Sequence, residues 1–319
     1  MLSAIILSLA MTSSPPQGLA RFSYTQYHMG IDARIVVYAK SEKQAQEACT
    51  AAFARIGELD AIMSDYRKDS ELNRLSDAAG GPPVTVSAPL FAVLRRAQEV
   101  SRRSGGAFDV TIGPLVALWR VARRTARLPD TAALAEAQAL VGWEKMRLDE
   151  RQRTVQLLVR GMRLDLGGIA KGYAADEAQR VLKGHGINSA MVEMGGDLVV
   201  SAAPPGSPGW LVEVPNAGDD YGPAKLYFAH RAISTSGDTE QFVVIDGVQY
   251  SHVVDPRTGM ALRNRVQATV VAPDGLTADP VSTTMTVLEP HRRRAFLNGF
   301  RGSRCYIREL RVGVPSILP

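Results

Sequence analysis

Three segments of the sequence contain residue types that can bind a phosphate group, bind a metal ion or act as a general base. The first contains Asp165, a Gly-Gly pair at 167–168 and Lys171. We expect a strand, a tight turn and then a helix, whose free N–H groups attract an anion because the start of a helix carries unpaired donors. Lys171 would add a point charge to the same anion. An ordinary strand-to-helix turn with a surface lysine explains the same pattern.

The second segment carries oxygen ligands suited to a hard divalent cation. Pro280 predicts the first turn of a helix, with Asp279 as its N-cap. Asp279 and Thr283 are four residues apart, so their side chains project from one side of that turn. A carboxylate, a hydroxyl and nearby backbone carbonyls are ligands that Mg²⁺ prefers. A capping aspartate followed by an ordinary helical threonine is the alternative.

The third segment places a histidine where it could act as a general base. His252 lies late in a predicted strand and precedes an Asp-Pro turn at 255–256. Histidine suits this role because its ordinary pKa lies near neutrality, although a single histidine is often structural. The glycine turn at 194–197 and the polar loop at 234–237 are two more candidates, and an ordinary turn explains each of them equally well.

Composition and motifs exclude several classes of protein. Of the 319 residues 45% are hydrophobic, and no apolar run is long enough to cross a membrane. The net charge of +5 comes with basic clusters at 120–127 and 291–304 that lack interleaved aromatic residues, so we expect no nucleic-acid partner. P-loop, Rossmann, serine-esterase and zincin motifs are absent. The two cysteines show no metal-ligand spacing, and Cys49 is predicted to be a buried free thiol.

The N-terminal segment predicts export. Residues 1–20 have no charged side chain, an apolar run at 2–11, and small residues at Gly18 and Ala20 where a signal peptidase would cut. The usual basic residue before the run is missing, so a cytoplasmic location is the alternative. We expect a candidate signal peptide at 1–20, a single domain at 21–319, and a periplasmic or other extracytoplasmic protein that is at most peripheral to a membrane.

Hydrophobic periodicity predicts an α+β fold with largely antiparallel sheets flanked by helices. Two helices are expected to begin after the caps Ser41 and Ser87, and two more to cover about 171–183 and 280–288. Asp246-Gly247 predicts a hairpin. The predicted strands are 31–39, 145–148, 154–159, 162–166, 190–193, 198–201, 210–214, 242–245, 248–252, 267–271 and 305–312.

Taken in order, these segments resemble the ApbE family of FAD:protein FMN transferases. The matching stretches are 28–30, 63–66, 70–72, 108–115, 165–173, 194–197, 252–259 and 277–283. The resemblance implies a two-part, T-fold-related architecture with a flavin cleft. It also implies FAD as the substrate, Mg²⁺ at the pyrophosphate, and transfer of FMN to a threonine of an acceptor redox protein with release of AMP.

The resemblance also implies a role for individual residues. Flavin-nucleotide contacts would come from Met29, Tyr66, Ala107, Phe108, Asp109, Asp165, Lys171 and Val253. Metal contacts would come from Asp279 and Thr283, together with backbone oxygens of Gly168 and Ser282. His252 would be the base. Two residues depart from the family pattern, because Ile31 replaces a usual threonine and Pro280 a common alanine.

Two other functions are compatible with the same residues. FAD hydrolysis to FMN and AMP would use water in place of the threonine. A non-catalytic flavin-binding protein would also contain the cleft, but it would have no need of the base at 252 or the metal carboxylate at 279. Since both residues are present, the binding protein ranks below the two enzymes. The residues alone do not separate transfer from hydrolysis, and flavin transfer is the leading prediction.

Overall fold

The computed structural model describes residues 18–214, 224–237 and 242–310. Most of the predicted signal peptide, residues 1–17, lies outside these ranges, and so do residues 311–319. Ala20, the last residue of that predicted segment, already belongs to the first strand. Within the described ranges, no helix has both the length and the apolarity to span a bilayer.

A seven-stranded sheet lies at the centre of the fold. Its strand order is β1-β2-β6-β7-β10-β13-β14, and every neighbouring pair is antiparallel. This arrangement confirms the predicted α+β class. The strands are β1 (Ala20–His28), β2 (Ile31–Ala39), β6 (Ser189–Met194), β7 (Asp197–Val200), β10 (Arg231–Gly237), β13 (Arg265–Ala272) and β14 (Arg304–Leu310).

Three small antiparallel sheets complete the β structure of the described residues. One has the order β3-β5-β4, and the other two are the pairs β8–β9 and β11–β12. The turn at 246–247 joins β11 to β12, as its Asp-Gly sequence predicts. The strands are β3 (Val84–Thr85), β4 (Met146–Asp149), β5 (Thr154–Leu157), β8 (Trp210–Val214), β9 (Ala224–Phe228), β11 (Phe242–Ile245) and β12 (Val248–Ser251).

Helices pack against the central sheet and bury most of the core. Ser41 and Ser87 cap their helices as predicted, each accepting a hydrogen bond from a backbone N–H three residues on. Cys49, on the apolar side of the first helix, is a buried free thiol as predicted. The helices are α1 (Glu42–Met63), α2 (Glu71–Asp77), α3 (Ala88–Ser104), α4 (Gly113–Thr125), α5 (Thr131–Leu140), α6 (Ala170–Gly184), α7 (Gly275–Val287) and α8 (Pro290–Leu297), with a short 3₁₀ turn at Trp143–Lys145.

The predicted start of α7 is wrong by five residues. The helix begins at Gly275 with Asp274 as its N-cap, so Asp279 and Pro280 both lie inside it. The Asp274 side chain accepts from Thr277 N, and Asp176 of α6 accepts from the N–H groups of Gly275 and Leu276. These two carboxylates accept hydrogen bonds from the backbone N–H groups at 275–277, which would otherwise be unpaired. The helix can therefore begin before Pro280.

Two further segments differ from the predictions. Residues 162–166 form no strand; Arg163 makes only one isolated bridge, to Ile112, and Asp165 N donates to the Val110 carbonyl. Residues 234–237 are not a loop, because they form the second half of β10 and pair with β13. The sequence of that half lacks the apolar alternation that predicts a strand, because its polar side chains face a polar cluster instead of the apolar core.

Candidate functional site

Helices α6 and α7 touch through their backbones beside the Gly-Gly turn. A Cβ built on Gly172 would overlap the Gly275 carbonyl oxygen, so only glycine permits this approach. Gly172 N donates to the Asp279 carboxylate at 3.1 Å. A Cβ on Gly168 would lie 3.2 Å from Thr283 Oγ1. The structure therefore brings Asp279 and Thr283 to the turn at 167–168, although both belong to a distant part of the chain.

Lys171 lies between two buried carboxylates. Its Nζ donates to Asp197 Oδ2 at 2.7 Å and lies 4.0 Å from Asp279 Oδ1. Burial acts to lower the pKa of Lys171, but the two negative charges outweigh it and raise that pKa above its ordinary value. The lysine therefore stays charged at neutral pH and supplies a fixed positive charge to the cluster.

Burial raises the pKa of Asp279 to about 7. The residue is 2% exposed, and water solvates its charged form poorly there. The charge on Lys171 and the N–H of Gly172 act in the opposite direction, while the charge on Asp197 adds to the raising effect. A carboxylate in this state gains from a further cation close by.

Four hydroxyl groups connect Asp197 to the second turn of α7. Ser234 donates to Asp197 Oδ1 at 2.5 Å and lies 2.9 Å from Ser282 Oγ. Ser236 Oγ lies 2.8 Å from Ser282 Oγ and 3.1 Å from Thr283 Oγ1. The hydroxyls of β10 and α7 thus form one continuous hydrogen-bonded chain that ends beside the Gly-Gly turn.

The oxygen atoms of this cluster fit a magnesium ion. In the described ranges no three His, Cys, Asp or Glu side chains come together as a metal-binding group. Mg²⁺ usually takes one or two carboxylates and completes its shell with water and substrate phosphates. Asp279, Thr283 and the backbone at Gly168 and Ser282 would supply such ligands.

A second cluster lies next to the Gly-Gly turn and includes Asp165 and Tyr66. Gly167 N donates to Asp165 Oδ1 at 2.8 Å, and Arg120 donates to Asp165 Oδ2 at 3.0 Å. Arg120 also pairs with Asp65, and its guanidinium lies 4.4 Å from the centre of the Tyr66 ring. Burial and the charge on Asp65 raise the pKa of Asp165. Tyr66 is 76% exposed, so its ring is available to stack on a planar ligand.

The predicted contacts at 107–109 lie under this turn. A Cβ built on Gly168 would lie 3.4 Å from the Phe108 ring. Ala107 is buried, and burial raises the pKa of Asp109 to about 6. Asp109 Oδ1 accepts from both the N–H and the hydroxyl of Thr111, so its side chain holds its own loop. These contacts give Asp109 a structural role whether or not it also meets a ligand.

Met29 occupies a tight hairpin between β1 and β2. Met29 and Gly30 both have positive φ values, 51° and 79°, as a two-residue hairpin requires. Ile31, which replaces the family's usual threonine, packs against the neighbouring glycine turn, since a Cβ on Gly195 would lie 3.0 Å from its Cδ1. The apolar side chain at 31 therefore fills space between two turns.

His252 and Val253 follow β12 directly. His252 is half-buried, Val253 is buried, and the Val253 carbonyl accepts from Leu262 N at 2.9 Å. The turn that follows is anchored to the α4–α5 pair, because Trp119 donates to the Gly259 carbonyl and Gln138 to the Pro256 carbonyl. The proximity of His252 to Asp279 stays a prediction.

Three residues at the centre of the cluster were not assigned a role from the sequence. From the sequence alone, an ordinary turn or loop explains the segments that contain Asp197, Ser234 and Ser236. Arg120 belongs to the basic cluster at 120–127, and its sequence context predicts no role in the site. One signal in the sequence is the spacing of Ser234 and Ser236, because residues two apart share one face of a strand.

The fold and this site define a class of protein. A buried carboxylate, a lysine and a row of hydroxyls meet at a Gly-Gly turn and a helix N-terminus, with an exposed aromatic ring nearby. Such a set can hold a divalent cation together with the phosphate groups that the cation neutralises. The arrangement therefore favours an enzyme that acts on a phosphate-bearing aromatic ligand.

Comparison with known proteins names that class. The model of the ApbE family matches residues 29–307, so the chain belongs to the ApbE family. An FAD:protein FMN transferase of Treponema pallidum is 33% identical over 298 residues, covering 88% of this chain and 82% of that protein. One of Klebsiella pneumoniae is 31% identical and covers 83% of this chain and 81% of that protein.

Solved structures share the fold over nearly the whole chain. The flavin transferase ApbE from Vibrio cholerae superposes with a TM-score of 0.79 at 28% identity, covering 92% of this chain and 97% of that one. The ApbE protein from Thermotoga maritima gives a TM-score of 0.81 at 28% identity, with 91% and 94% covered. These similarities confirm the family expected from the sequence.

Proposed function

We propose that the protein transfers the FMN part of FAD to a threonine of an acceptor protein and releases AMP, with Mg²⁺ bound at the pyrophosphate. Membership of the ApbE family, with relatives named FAD:protein FMN transferase, supports flavin transfer in general. The observation that carries the finer proposal is the meeting of Lys171, Asp279 and Thr283 at the Gly-Gly turn.

The residues of the site would divide the work of phosphoryl transfer. The reaction needs charge neutralisation and alignment more than covalent help. Lys171 and the N-terminus of α6 would hold the phosphate oxygens, and Tyr66 and Phe108 would face the planar rings. When bound by Asp279 and Thr283, Mg²⁺ would supply Lewis-acid stabilisation of the phosphate charge.

The proposed chemical step exchanges one phosphorus–oxygen bond for another. The threonine oxygen forms a bond to the FMN phosphorus, and the bond from that phosphorus to the bridging oxygen breaks, so AMP leaves with the bridging oxygen. His252 accepts the threonine proton as the oxygen attacks. We extend the proposal to location, since the predicted signal peptide favours an extracytoplasmic acceptor that carries the threonine.

The direct test is incubation of the full chain with FAD, Mg²⁺ and a threonine-containing acceptor peptide, followed by intact mass and nucleotide analysis. An FMN adduct together with AMP is the expected result. AMP and FMN without an adduct would identify a hydrolase, and bound but intact FAD would identify a binding protein; either outcome overturns the proposal.

Two variants separate the proposed roles within this assay. His252→Ala should bind FAD as the wild type does but lose transfer, because the threonine proton then lacks an acceptor. Asp279→Ala should lose both Mg²⁺ stimulation and transfer. Full transfer by His252→Ala would reject the base, and unchanged Mg²⁺ stimulation of Asp279→Ala would reject the metal ligand.

A further inference from the structure

The hydroxyl chain between Asp197 and Thr283 has a direction that proton counting determines. A serine or threonine hydroxyl has one proton to donate and two lone pairs to accept. The Asp197 carboxylate can only accept hydrogen bonds, so the Ser234 hydroxyl donates its proton to it. Ser282 has three acceptors within reach, Ser234 Oγ at 2.9 Å, the Asp279 carbonyl at 2.9 Å and Ser236 Oγ at 2.8 Å. Donation to Ser236 would leave both of the other contacts without a proton, so the count favours donation to Ser234 or to the carbonyl.

The donors in the remaining hydroxyl contacts follow from this assignment. Ser282 has no proton left for Ser236, so the 2.8 Å contact between them requires Ser236 to donate. Ser236 in turn has no proton left for Thr283, so the 3.1 Å contact requires Thr283 to donate to Ser236. This holds whether Ser282 donates to Ser234 or to the carbonyl. Any arrangement in which Ser236 donates to Thr283 leaves one more of these contacts without a proton.

This direction has a consequence for Thr283. Its proton is directed to Ser236 Oγ, so its lone pairs stay available to a cation beside the Gly-Gly turn, where a Cβ on Gly168 would lie 3.2 Å from the same oxygen. A hydroxyl binds a cation through a lone pair, and a proton aimed at the cation would oppose binding. We propose that Ser236, anchored through Ser282, is a positioning residue that orients the Thr283 hydroxyl so that its lone pairs can bind the metal ion.

Lys171 and Asp197 stabilise the other end of this chain. The ion pair of 2.7 Å keeps Asp197 as an acceptor, and Asp197 is 4% exposed, so water does not compete strongly for its oxygens. Charge-assisted hydrogen bonds are stronger than neutral ones, and linked bonds polarise one another. The negative charge of Asp197 therefore favours hydroxyl protons that are directed along the hydrogen-bonded chain toward Asp197 instead of toward Thr283.

The inference rests on the proposed function, because the cation concerned is the proposed Mg²⁺. The test uses the full chain and Mn²⁺, which favours the same oxygen ligands and whose free form is visible by electron paramagnetic resonance. Its affinity is measured with and without FAD for the wild type and for Ser236→Ala. We expect Ser236→Ala to weaken Mn²⁺ binding about tenfold, the usual effect of losing an orienting partner.

Two matched variants control for a merely structural effect. Thr235→Ala removes a hydroxyl from the adjacent position of β10, where it bonds to Thr269 at 2.9 Å on the other face of the strand. It should bind Mn²⁺ like the wild type. Ser236→Thr keeps the hydroxyl and should restore most of the affinity that Ser236→Ala loses.

The outcomes distinguish the inference from the function beneath it. Wild-type affinity in Ser236→Ala, or an equal loss in Thr235→Ala, overturns the positioning role and leaves the proposed metal site standing. A wild-type protein that binds no Mn²⁺ with or without FAD overturns the metal site and the inference together. Thermal unfolding of each variant verifies that the fold is retained.

Discussion

Asp279 is the residue whose chemistry depends most on its surroundings. Its pKa is raised to about 7 by burial, although Lys171 lies 4.0 Å away. A proton and a metal ion compete for the same carboxylate oxygens, so a metal bound there must displace whatever proton is present. This competition would couple the affinity of the proposed metal site to pH in the physiological range.

We therefore predict that Mg²⁺ affinity falls as the pH drops below about 7. Below the pKa of Asp279 each metal ion displaces one proton, so the affinity should fall by about tenfold per pH unit, while above it the affinity should level off. Calorimetric titration across that range would measure the slope. An affinity that does not change through this range would contradict the assignment of Asp279 as a ligand.

Arg120 is a second residue that acts through its partners. It pairs with Asp65 and Asp165 and covers one face of the Tyr66 ring. Without it, two carboxylates would face each other in a poorly solvated place, where an unpaired charge is costly. The guanidinium therefore holds the aromatic ring and the Asp165 loop in one geometry.

Arg120→Ala should lower the free energy of unfolding by about 2 kcal/mol, because hydrogen bonds to two charged groups are lost. It should also weaken FAD binding, measured by flavin fluorescence, since Tyr66 and Asp165 lose their common support. The control is Arg124→Ala, an exposed residue of the same helix α4. Equal stability and FAD affinity in both variants would show that Arg120 is an ordinary surface residue.

Among the secondary-structure elements, the crossing of α6 and α7 controls the site. The two backbones meet at Gly172 and Gly275, and Gly172 N donates to Asp279. Asp176, one turn further along α6, caps the first turn of α7. Helix α6 thus both caps the start of α7 and positions the carboxylate of Asp279.

Gly172→Ala should force the two helices apart, because its Cβ would overlap a backbone carbonyl oxygen of α7. We expect a loss of about 2 kcal/mol in stability, typical of overpacking, and reduced flavin transfer as Asp279 moves. Chemical denaturation and the transfer assay would measure these effects.

Gly184 provides the matched control on the same helix. A Cβ there would meet nothing within 4 Å, so Gly184→Ala should leave stability unchanged or slightly raised. If Gly172→Ala behaved like Gly184→Ala, the close crossing would not constrain the site.

The whole molecule brings four separated elements to one place through the order of its sheet. Strand β7 pairs with β10, which sets Asp197 beside Ser234, and helices α6 and α7 pack on that part of the sheet. Buried titratable groups such as Asp109 make the stability of this assembly depend on pH. Their effect is visible in the global unfolding equilibrium.

Asp109 should make the stability of the whole chain depend on pH. Its pKa is about 6 in the folded state because of burial, against an ordinary value of 3.8. Between these values the folded state binds more protons than the unfolded state, so stability falls as the pH rises. The wild type should lose about 3 kcal/mol relative to Asp109→Asn between about pH 4 and pH 7.

Urea unfolding of the two proteins at several pH values would measure this difference. The amide introduced by Asp109→Asn keeps an oxygen acceptor for Thr111 but does not titrate, so the variant isolates the charge of Asp109 from its hydrogen bonds. A difference that stays constant with pH, or that changes in favour of the wild type as the pH rises, would contradict the predicted sign.

Local patterns in the sequence were sufficient for much of the fold. The caps Ser41 and Ser87, the helix ending at Gly184 and the hairpin at 246–247 depend on contacts within a few residues. The family was also evident from the order of its motifs. By contrast, β1 was not predicted, because it is an edge strand with mostly exposed side chains and only Phe22, Tyr24 and His28 are partly buried.

The centre of the site required tertiary structure. Gly172 and Asp279 are 107 residues apart, and Asp197 and Ser234 are 37 apart, so no local pattern links them. The sequence alone determined which residue types were available and the helices and turns that carry many of them. Strand pairing and the crossing of two helices decided which of them meet, because those depend on the packing of the whole chain.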